Sequence, residues 1–589
     1  MIQTSFPSII HPLRQAVLLA MSLSSLAPAL ANDQVAHSAA TATALEPTVI
    51  VAVQQQSPLT LVTDPKEARQ PVPASDATDY LKTIPGFSAI RAGGTNGDPV
   101  LRGQFGSRLN LRTNGGLMLG ACPFRMDAPS SYISPETFDK LTVIKGPQTV
   151  IWGPGASAGT ILFEREPEHF TASGARLNGS VLAGSNGRFD RVIDGAVGNR
   201  EGYARIVGNK AQADDYEDGD GHTVPSRWSK WNGDLALGWT PDEDTLIELS
   251  AGKGNGEARY GGRSMDGSQF ERESLGLKFE RRHLGEVFEK LEAQVYYNYA
   301  DHIMDNFRLR NPDPNSMMAM PMASQVDRRT LGGRVAATFQ WTDWRVVTGM
   351  DALRSEHRER NSTFDMIADL YHDTDAFPWT KDAVMHDYGA FAEATWYANR
   401  NSRVVTGARV DRADATDYRQ TLSTMAMNRA NPTIDDTRTA TLPSGFARYE
   451  YDLASLPATL YAGLGHVQRF PDYWELFSSG SGPVGKANAF AGVRPEKTTQ
   501  LDIGAQYDDG RLQAWVSAYA GAVEDFILYN YRSSMGMSTS QVSNVNARIM
   551  GGEFGASYQL DDHWKTEATL AYAWGETRLT IVPCLRCRR

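Results

Sequence analysis

The chain has 589 residues, a formal net charge of −11 at pH 7 and a pI near 5.6. No run or stripe of Lys and Arg stands out, so the composition argues against nucleic-acid binding. Mean hydropathy is −0.39 and no apolar span of about 20 residues occurs, which excludes an ordinary helical membrane protein. A β-barrel stays possible, because its strands alternate apolar and polar residues.

The N-terminus predicts an export signal over residues 1–31. Arg14 precedes an apolar stretch that begins at Ala16, and Ala29-Leu30-Ala31 has the small-x-small pattern of a cleavage site. The abrupt polar shift that follows argues against a buried N-terminal helix. We expect the mature chain to begin at Asn32.

Residues 32–75 are rich in Ala, Thr, Gln and Pro and predict a flexible periplasmic segment. One β-prone island interrupts it at residues 46–53, Glu-Pro-Thr-Val-Ile-Val-Ala-Val. An isolated strand of this kind either adds to the sheet edge of another protein or forms the first strand of the following domain. The sequence leaves these two alternatives open.

Residues 76–170 predict a compact, glycine-rich α+β domain. A short helix is predicted over Asp76–Thr83, where Ile84-Pro85-Gly86 stops it. The glycines of 153–159 do not have the G-x-G-x-x-G spacing of a dinucleotide-binding loop, so we interpret them as tight turns. Short strands separated by glycine turns are predicted at Ser88–Arg91, Pro99–Arg102, Leu109–Arg112 and Leu141–Lys145.

Residues 171–575 predict short alternating strands separated by polar loops. One face of each strand carries Leu, Val, Ala and Tyr, and the other carries Glu, Gln, Asn and Asp. In a soluble sandwich the apolar face would form the core, whereas in an outer-membrane barrel it faces lipid. Strands of about ten residues, Trp residues near strand ends, and a mixture of short turns and long loops favour the barrel. About 400 residues at roughly 20–25 per strand and loop predict about 16–20 strands.

Cys122 is the only cysteine in the first 583 residues and has Met126 four positions later. At this spacing the two side chains would share one face of a helical turn, with Pro123 at its first position. A helix N-terminus would also lower the pKa of the thiol. Thiolate and thioether are soft ligands that select Cu(I). A small buried hydrophobic residue is the simpler interpretation of Cys122 alone, and Met126 together with a Met-rich loop favours metal binding.

That loop spans 308–328 and concentrates Met317, Met318, Met320 and Met322 in six residues. Apolar filling is the alternative role for such a cluster, but no strand pattern surrounds it. No His lies in the loop, so its contribution to a metal site would be thioether. We predict Cys122, Met126, Met318, Met320 and Met322 as metal ligands.

Other candidate features carry less weight. Met425/Met427 and Met535/Met537 are interpreted as ordinary loop residues, and the acidic run 214–221 as a solvated hairpin loop. The Cys584-x-x-Cys587 pair lacks a second ligand pair. No constellation suggests catalysis, so the chain is not expected to be an enzyme.

The alternation stops at Gly575, and residues 576–589 break with the composition upstream. No terminal aromatic strand follows. We therefore expect the chain to be truncated or frame-shifted near residue 576.

The chain resembles the TonB-dependent outer-membrane receptors over residues 46–575. The resemblance rests on several motifs together, which are Glu46-Pro-Thr-Val-Ile-Val51, Pro99-Val-Leu-Arg-Gly103, Val143-Ile-Lys-Gly-Pro147, Gly153–Gly159, Arg469-Phe-Pro-Asp-Tyr-Trp-Glu-Leu-Phe477 and Arg494-Pro-Glu-Lys497. Ala121-Cys-Pro-Phe-Arg-Met-Asp127 and the Met-rich loop make it most similar to the copper receptors of that family.

The resemblance implies an N-terminal plug inside a transmembrane barrel of the 22-stranded type. It implies a monomer in outer-membrane lipid that imports copper ion, with Thr48, Val49, Ile50 and Val51 binding the TonB energy-transducing complex. It also implies that the barrel completes the Cys-x-x-x-Met site. A receptor for a siderophore or other metal chelate, in which Cys122 is incidental, is the alternative, and a passive porin or adhesin is a third interpretation.

Overall fold

The structure, a computed structural model, describes residues 55–67, 69–70, 72–316, 318–424, 427–478, 481–534 and 537–578. The predicted signal peptide, the island 46–53 with Thr48–Val51, and the cysteines of the tail lie outside these residues. None of the helices in this part of the chain has the length and apolarity that a membrane-spanning helix requires.

The N-terminal domain is a small α+β unit. Helix α1 (Ala77–Leu81) begins at Asp76, whose carboxylate accepts a hydrogen bond from the Asp79 amide, as an N-cap does. Its strands are β1 (Gln55–Ser57), β2 (Thr60–Thr63), β3 (Phe87–Ile90), β4 (Asp98–Leu101), β5 (Gln104–Phe105), β6 (Leu109–Thr113), β7 (Gly116–Leu117), β8 (Lys140–Lys145) and β9 (Gly159–Glu164).

The predicted helix and four predicted strands of this domain are therefore present, with ends shifted by a few residues. The order β1-β2-β8-β9-β6-β7 forms one sheet, in which β9 pairs parallel to β6 and antiparallel to β8. Strand β9 was not predicted, because its residues follow directly on the turns of 153–158. Leu61, Leu81, Leu141, Ile161 and Phe163 are fully buried and form the centre of the domain.

The rest of the described chain is almost entirely strand. The strands are β10 (Gly174–Ala183), β11 (Phe189–Asn199), β12 (Gly202–Ala213), β13 (Tyr216–Glu217), β14 (Thr223–Val224), β15 (Trp228–Trp239), β16 (Thr245–Ala258), β17 (Asp266–Arg282), β18 (Phe288–Asp305), β19 (Ala323–Gln340), β20 (Trp344–Asn361), β21 (Thr363–Asp365), β22 (Leu370–His372), β23 (Thr380–Asn399), β24 (Ser402–Asp417), β25 (Thr421–Thr424), β26 (Met427–Ala430), β27 (Thr437–Asp452), β28 (Ala458–Arg469), β29 (Glu496–Asp508), β30 (Leu512–Ser534), β31 (Met537–Gln559) and β32 (Lys565–Arg578). Two short helices, α2 (Tyr473–Phe477) and α3 (Ala489–Gly492), lie between β28 and β29.

Among the described residues, seventeen of these strands form one antiparallel sheet from β10 to β32, within the predicted range. We call it the barrel sheet. The pairs β13–β14, β21–β22 and β25–β26 are separate hairpins. The strands are 10–23 residues long, longer than the predicted ten, because several continue beyond a membrane crossing into the loops. Strand β32 continues to Arg578, past the point where the alternation in the sequence stops.

The two faces of the barrel sheet have the polarity of a membrane barrel. Apolar side chains such as Val295 and Leu331 are about half exposed, at 55% and 50%. Polar side chains on the opposite face, such as Asn298 and Arg328, are buried. This is the reverse of a soluble sandwich, and it matches a lipid-facing exterior.

The buried polar face holds the N-terminal domain, which we call the plug. Plug residues bond to strands across the whole sheet, including Asp234 on β15, Asn298 on β18, Glu393 on β23 and Glu553 on β31. The sheet therefore curves around the plug.

Buried ion pairs join the two parts. Arg102 donates to Glu553 at 2.7 Å and to Asp502 at 3.0 Å, and Lys145 also donates to Glu553. Arg108 forms a bidentate pair with Glu496. All of these side chains are about 1% exposed or less.

Candidate metal centre

The segment that carries Cys122 is a pair of tight turns, not a helical turn. The Asp127 carboxylate accepts hydrogen bonds from the amides of Ala121 and Cys122 at 2.7 and 2.8 Å, and from the Tyr132 hydroxyl at 2.7 Å. The Arg125 amide donates to the Cys122 carbonyl at 3.0 Å, which closes a turn. The predicted helical turn is thus wrong, because the Asp127 side chain, five residues after Cys122, accepts hydrogen bonds from both amides and holds the segment in turns.

The thiol of Cys122 is buried at 4% exposure. Burial raises its pKa to about 12, and the Asp127 carboxylate acts in the same direction. The prediction of a lowered pKa is therefore wrong, since the segment is not helical and no helix N-terminus faces the sulfur. A cation at the thiol would supply the missing stabilisation of the thiolate.

The barrel residue that meets the thiol is Met304, near the outer end of β18. Its Sδ lies 3.5 Å from Sγ of Cys122. Met126, Cys122 and Met304 are buried at 4–5% exposure in one apolar cluster, which also includes Met118. The structure thus brings the predicted Cys122 and Met126 together and adds a thioether from the barrel sheet.

His302 lies two residues before Met304, so both side chains project from the same face of β18. Its Nδ1 lies 2.8 Å from the Gln269 carbonyl, and its ring stacks on Phe270 with centroids 4.5 Å apart. Its Nε2 is buried and has no hydrogen-bond partner among the described residues. A histidine that donates from Nδ1 to a carbonyl and leaves Nε2 free has the arrangement of a metal ligand.

His302 and Met304 were not predicted, because the methionine density and the question of a histidine ligand were considered only for the loop 308–328, which follows their strand. On a strand the relevant spacing is i, i+2, and His302-Ile-Met304 within an alternating segment is the signal that identifies this pair.

The predicted loop methionines lie elsewhere. Met320 and Met322 are 40% and 44% exposed, and Met318 is partly buried. The Asn306 side chain fixes the loop by bonding to the carbonyls of Met318 and Met320 and to the Met322 amide. None of the three belongs to the buried cluster around Cys122. Met317 lies outside the described residues.

The barrel sheet also holds the backbone of the Cys122 turn. His357 Nε2 lies 2.7 Å from the Ala121 carbonyl, and its Nδ1 lies 2.7 Å from Asp382. The Tyr260 hydroxyl donates to the Met126 carbonyl at 3.2 Å. A cavity of about 120 Å³ opens beside Cys122 between the plug and the barrel sheet.

The fold is that of an outer-membrane transporter with a plug inside a β-barrel, and sulfur side chains of the two parts meet at Cys122 and Met304. The family model "TonB dependent receptor-like, beta-barrel" matches residues 208–583, and the model "TonB-dependent Receptor Plug Domain" matches residues 53–160. The chain therefore belongs to the TonB-dependent receptor family, as its motifs predict. Receptors of this family lie in the outer membrane of Gram-negative bacteria and act with the TonB complex.

Solved structures agree with this assignment. The chain is similar to the copper transporter OprC, with 70% identity, coverage of 90% of this chain and 81% of that chain, and a TM-score of 0.89. The FrpB iron transporter of Neisseria meningitidis shares the fold at 16% identity and a TM-score of 0.68, covering 89% of this chain and 80% of its own. A hemin receptor of Yersinia pestis is 28% identical over 91 residues, which are 15% of this chain and 13% of that receptor.

Proposed function

We propose that this receptor binds copper ion at Cys122, Met126, His302 and Met304 and imports it across the outer membrane. The observation that carries the proposal is the buried contact between the Cys122 thiol and the Met304 thioether, 3.5 Å apart. His302, on the same face of β18 as Met304, has a buried ring nitrogen without a hydrogen-bond partner among the described residues. The 70% identity to a copper transporter supports the same cargo.

The donor set favours Cu(I). Thiolate, thioether and imidazole are soft or intermediate ligands, whereas Mg²⁺, Ca²⁺ and Mn²⁺ prefer oxygen. Cys122 and Met126 come from the plug, and His302 and Met304 come from the barrel sheet, so the complete set exists only when the plug is seated. Movement of the plug would separate the donors and release the ion.

The size of the cavity favours a bare ion over a chelate. Pockets for small organic ligands are commonly about 300–1,000 Å³, and the space beside Cys122 is about 120 Å³. A siderophore would therefore need a wider opening between plug and barrel than the structure has.

The exposed Met318, Met320 and Met322 have a separate role in this proposal. Their position in a loop that begins directly after β18 suits a capture surface that delivers copper to the buried site. Thr48, Val49, Ile50 and Val51 would bind TonB, and the receptor would work as a monomer in outer-membrane lipid. The predicted signal peptide and periplasmic segment belong to the same proposal, in which the plug includes β1 and β2 and the barrel begins at β10.

Copper analysis of the purified receptor tests the site. We expect one tightly bound copper per wild-type chain, and loss of it in Cys122→Ser, Met304→Leu and His302→Gln. The matched controls are Met350→Leu, whose side chain is 67% exposed on β20, and His563→Gln in an exposed turn. Equal copper content in wild type and Cys122→Ser would refute the site.

A further inference from the structure

The cavity beside Cys122 leads to a second group of metal-binding side chains. Its lining includes Asn110 and Gly155 of the plug and Asp387 of β23, in addition to Cys122. Asp387 belongs to a cluster with Asp351 of β20 and Asp411 of β24, in which one oxygen of each carboxylate lies within 4.8 Å of the others. All three project from the buried face of the barrel sheet, and Asp387 and Asp411 are 6% and 0% exposed.

One guanidinium neutralises part of this cluster. Arg409 donates to both oxygens of Asp411 at 2.8 and 2.9 Å and to both oxygens of Asp351 at 2.7 and 2.6 Å. The backbone of plug residue Gly153 packs directly against it, so that a Cβ there would lie 1.8 Å from Nη2. Three carboxylates and one guanidinium carry a net charge of −2 when all are ionised, and an uncompensated buried charge is costly.

Two oxygens at the cavity remain without a partner. Oδ1 of Asp387 and Oδ1 of Asn110 are buried and accept no hydrogen bond from the described residues. The Asn110 side-chain nitrogen donates to the Trp152 and Gly153 carbonyls at 3.0 and 3.4 Å. Asn110 is 5% exposed and comes from the plug, so its free oxygen is independent of the carboxylate cluster.

Two neighbouring guanidinium groups donate to main-chain oxygens. Arg112 donates to the carbonyls of Gly115 and Gly153, and Arg334 donates to the carbonyl of Ile151. Neither donates to Asp387 or to Asn110. The free oxygens of Asp387 and Asn110 therefore have no hydrogen-bond donor among the described residues.

We propose that Asp351, Asp387 and Asp411, with Asn110 of the plug, form a second cation site that binds a divalent cation through oxygen. Carboxylate and amide oxygens are the ligands of Mg²⁺, Ca²⁺ and Mn²⁺, and they also accept Cu(II). The same cavity connects this site to Cys122, which would place it on the route of the copper. That placement rests on the proposed function. The ability of the site to bind a cation does not depend on that function.

Mn²⁺ binding to the purified full-length receptor, followed by electron paramagnetic resonance, tests the site. Mn²⁺ is a hard ion that does not compete for sulfur ligands. We expect wild type to bind one more Mn²⁺ per chain than Asp387→Asn, which keeps the size of the side chain. The control is Asp414→Asn, which removes a carboxylate from the opposite face of β24 and should leave the stoichiometry unchanged.

Two further variants separate the outcomes. Cys122→Ser should retain the Mn²⁺ even though it loses copper, so failure of the copper proposal would not affect this result. Asn110→Leu, which leaves the barrel sheet untouched, should shift the Mn²⁺ titration to higher concentration. The same Mn²⁺ stoichiometry in wild type and Asp387→Asn, as expected if a proton balances the cluster, would overturn the proposal.

Discussion

The Glu553 carboxylate pairs with two buried, positively charged side chains of the plug, Arg102 and Lys145. The neutral variant Glu553→Gln should therefore loosen the plug without removing any apolar contact. Two carboxylates of the barrel sheet, Glu553 and Asp502, face Arg102 and Lys145 of the plug. Glu553→Gln leaves one positive charge uncompensated in a site where each side chain is about 1% exposed or less. Breaking a buried ion pair in this way costs about 3–5 kcal/mol. At about 1.4 kcal/mol per tenfold change, release of the plug should become roughly a hundredfold to several thousandfold more frequent.

Hydrogen exchange of plug amides measures this release in the intact receptor. Amides of β8 exchange only when the plug opens, so their rates should rise by the same factor in Glu553→Gln. Glu286→Gln, in the exposed turn between β17 and β18, is the control and should match wild type. The double variant Lys145→Met/Glu553→Gln should recover most of the protection, because Arg102 and Asp502 then balance each other. Wild-type exchange rates in Glu553→Gln would refute the reasoning.

Three further changes have defined outcomes. Asp127→Asn places an amide group where the backbone amides of Ala121 and Cys122 need an acceptor. This change should destabilise the turn by about 1–3 kcal/mol. It should also weaken copper binding, which is measured by competition with a chelator. The double variant Met320→Leu/Met322→Leu should slow copper uptake by cells at low external copper but leave the copper content of purified receptor at the wild-type value. Glu136→Gln should make the plug more resistant to urea at pH 8 and remove a pH dependence that wild type shows between about pH 4.5 and 7.

The environment of Glu136 determines how the stability of the plug changes with pH. Burial and the Asp190 carboxylate raise its pKa to about 7 from an ordinary value of 4.5. The folded plug therefore binds this proton more tightly than the unfolded chain, and stability falls as the pH rises through this interval. An unchanged pH profile in Glu136→Gln would contradict the assignment. Wild-type copper affinity in Asp127→Asn would contradict the role of the Asp127 carboxylate. Loss of bound copper in Met320→Leu/Met322→Leu would contradict the separate role of the loop methionines.

The barrel sheet and most of the plug could be predicted because their signals are local. Alternation with a period of two identifies a strand from a few residues, and the polarity of the two faces identifies the environment of the sheet. The helix over Asp76–Thr83 could be predicted because Ile84-Pro85-Gly86 marks its end. The turn at Cys122 could not be predicted. The i, i+4 spacing of Cys122 and Met126 suggested a helix, whereas the amide of Ala121 donates to the side chain of Asp127, which Tyr132 also contacts.

Only the plug residues of the candidate metal centre, Cys122 and Met126, could be predicted from the sequence. Cys122 and Met126 are neighbours in the sequence, whereas Met304 is 182 residues from Cys122. Their contact depends on how the plug is seated and on the register of β18, and neither is encoded by a local pattern. The density of methionines in 308–328 drew the prediction to Met320 and Met322, which the structure places in an exposed loop.

In the proposed function, the division of the site between plug and barrel sheet links copper affinity to the position of the plug. His357 binds the Ala121 carbonyl, so the barrel fixes the backbone next to Cys122 as well as supplying Met304 and His302. A displacement of the plug that breaks this hydrogen bond also separates the sulfur atoms. Tight binding and release therefore need no change in the ligands themselves. In the proposed function, a force that moves the plug would have to break the buried ion pairs of Glu553 and Glu496 before the copper is freed, so that release would depend on energy supplied from the periplasmic side.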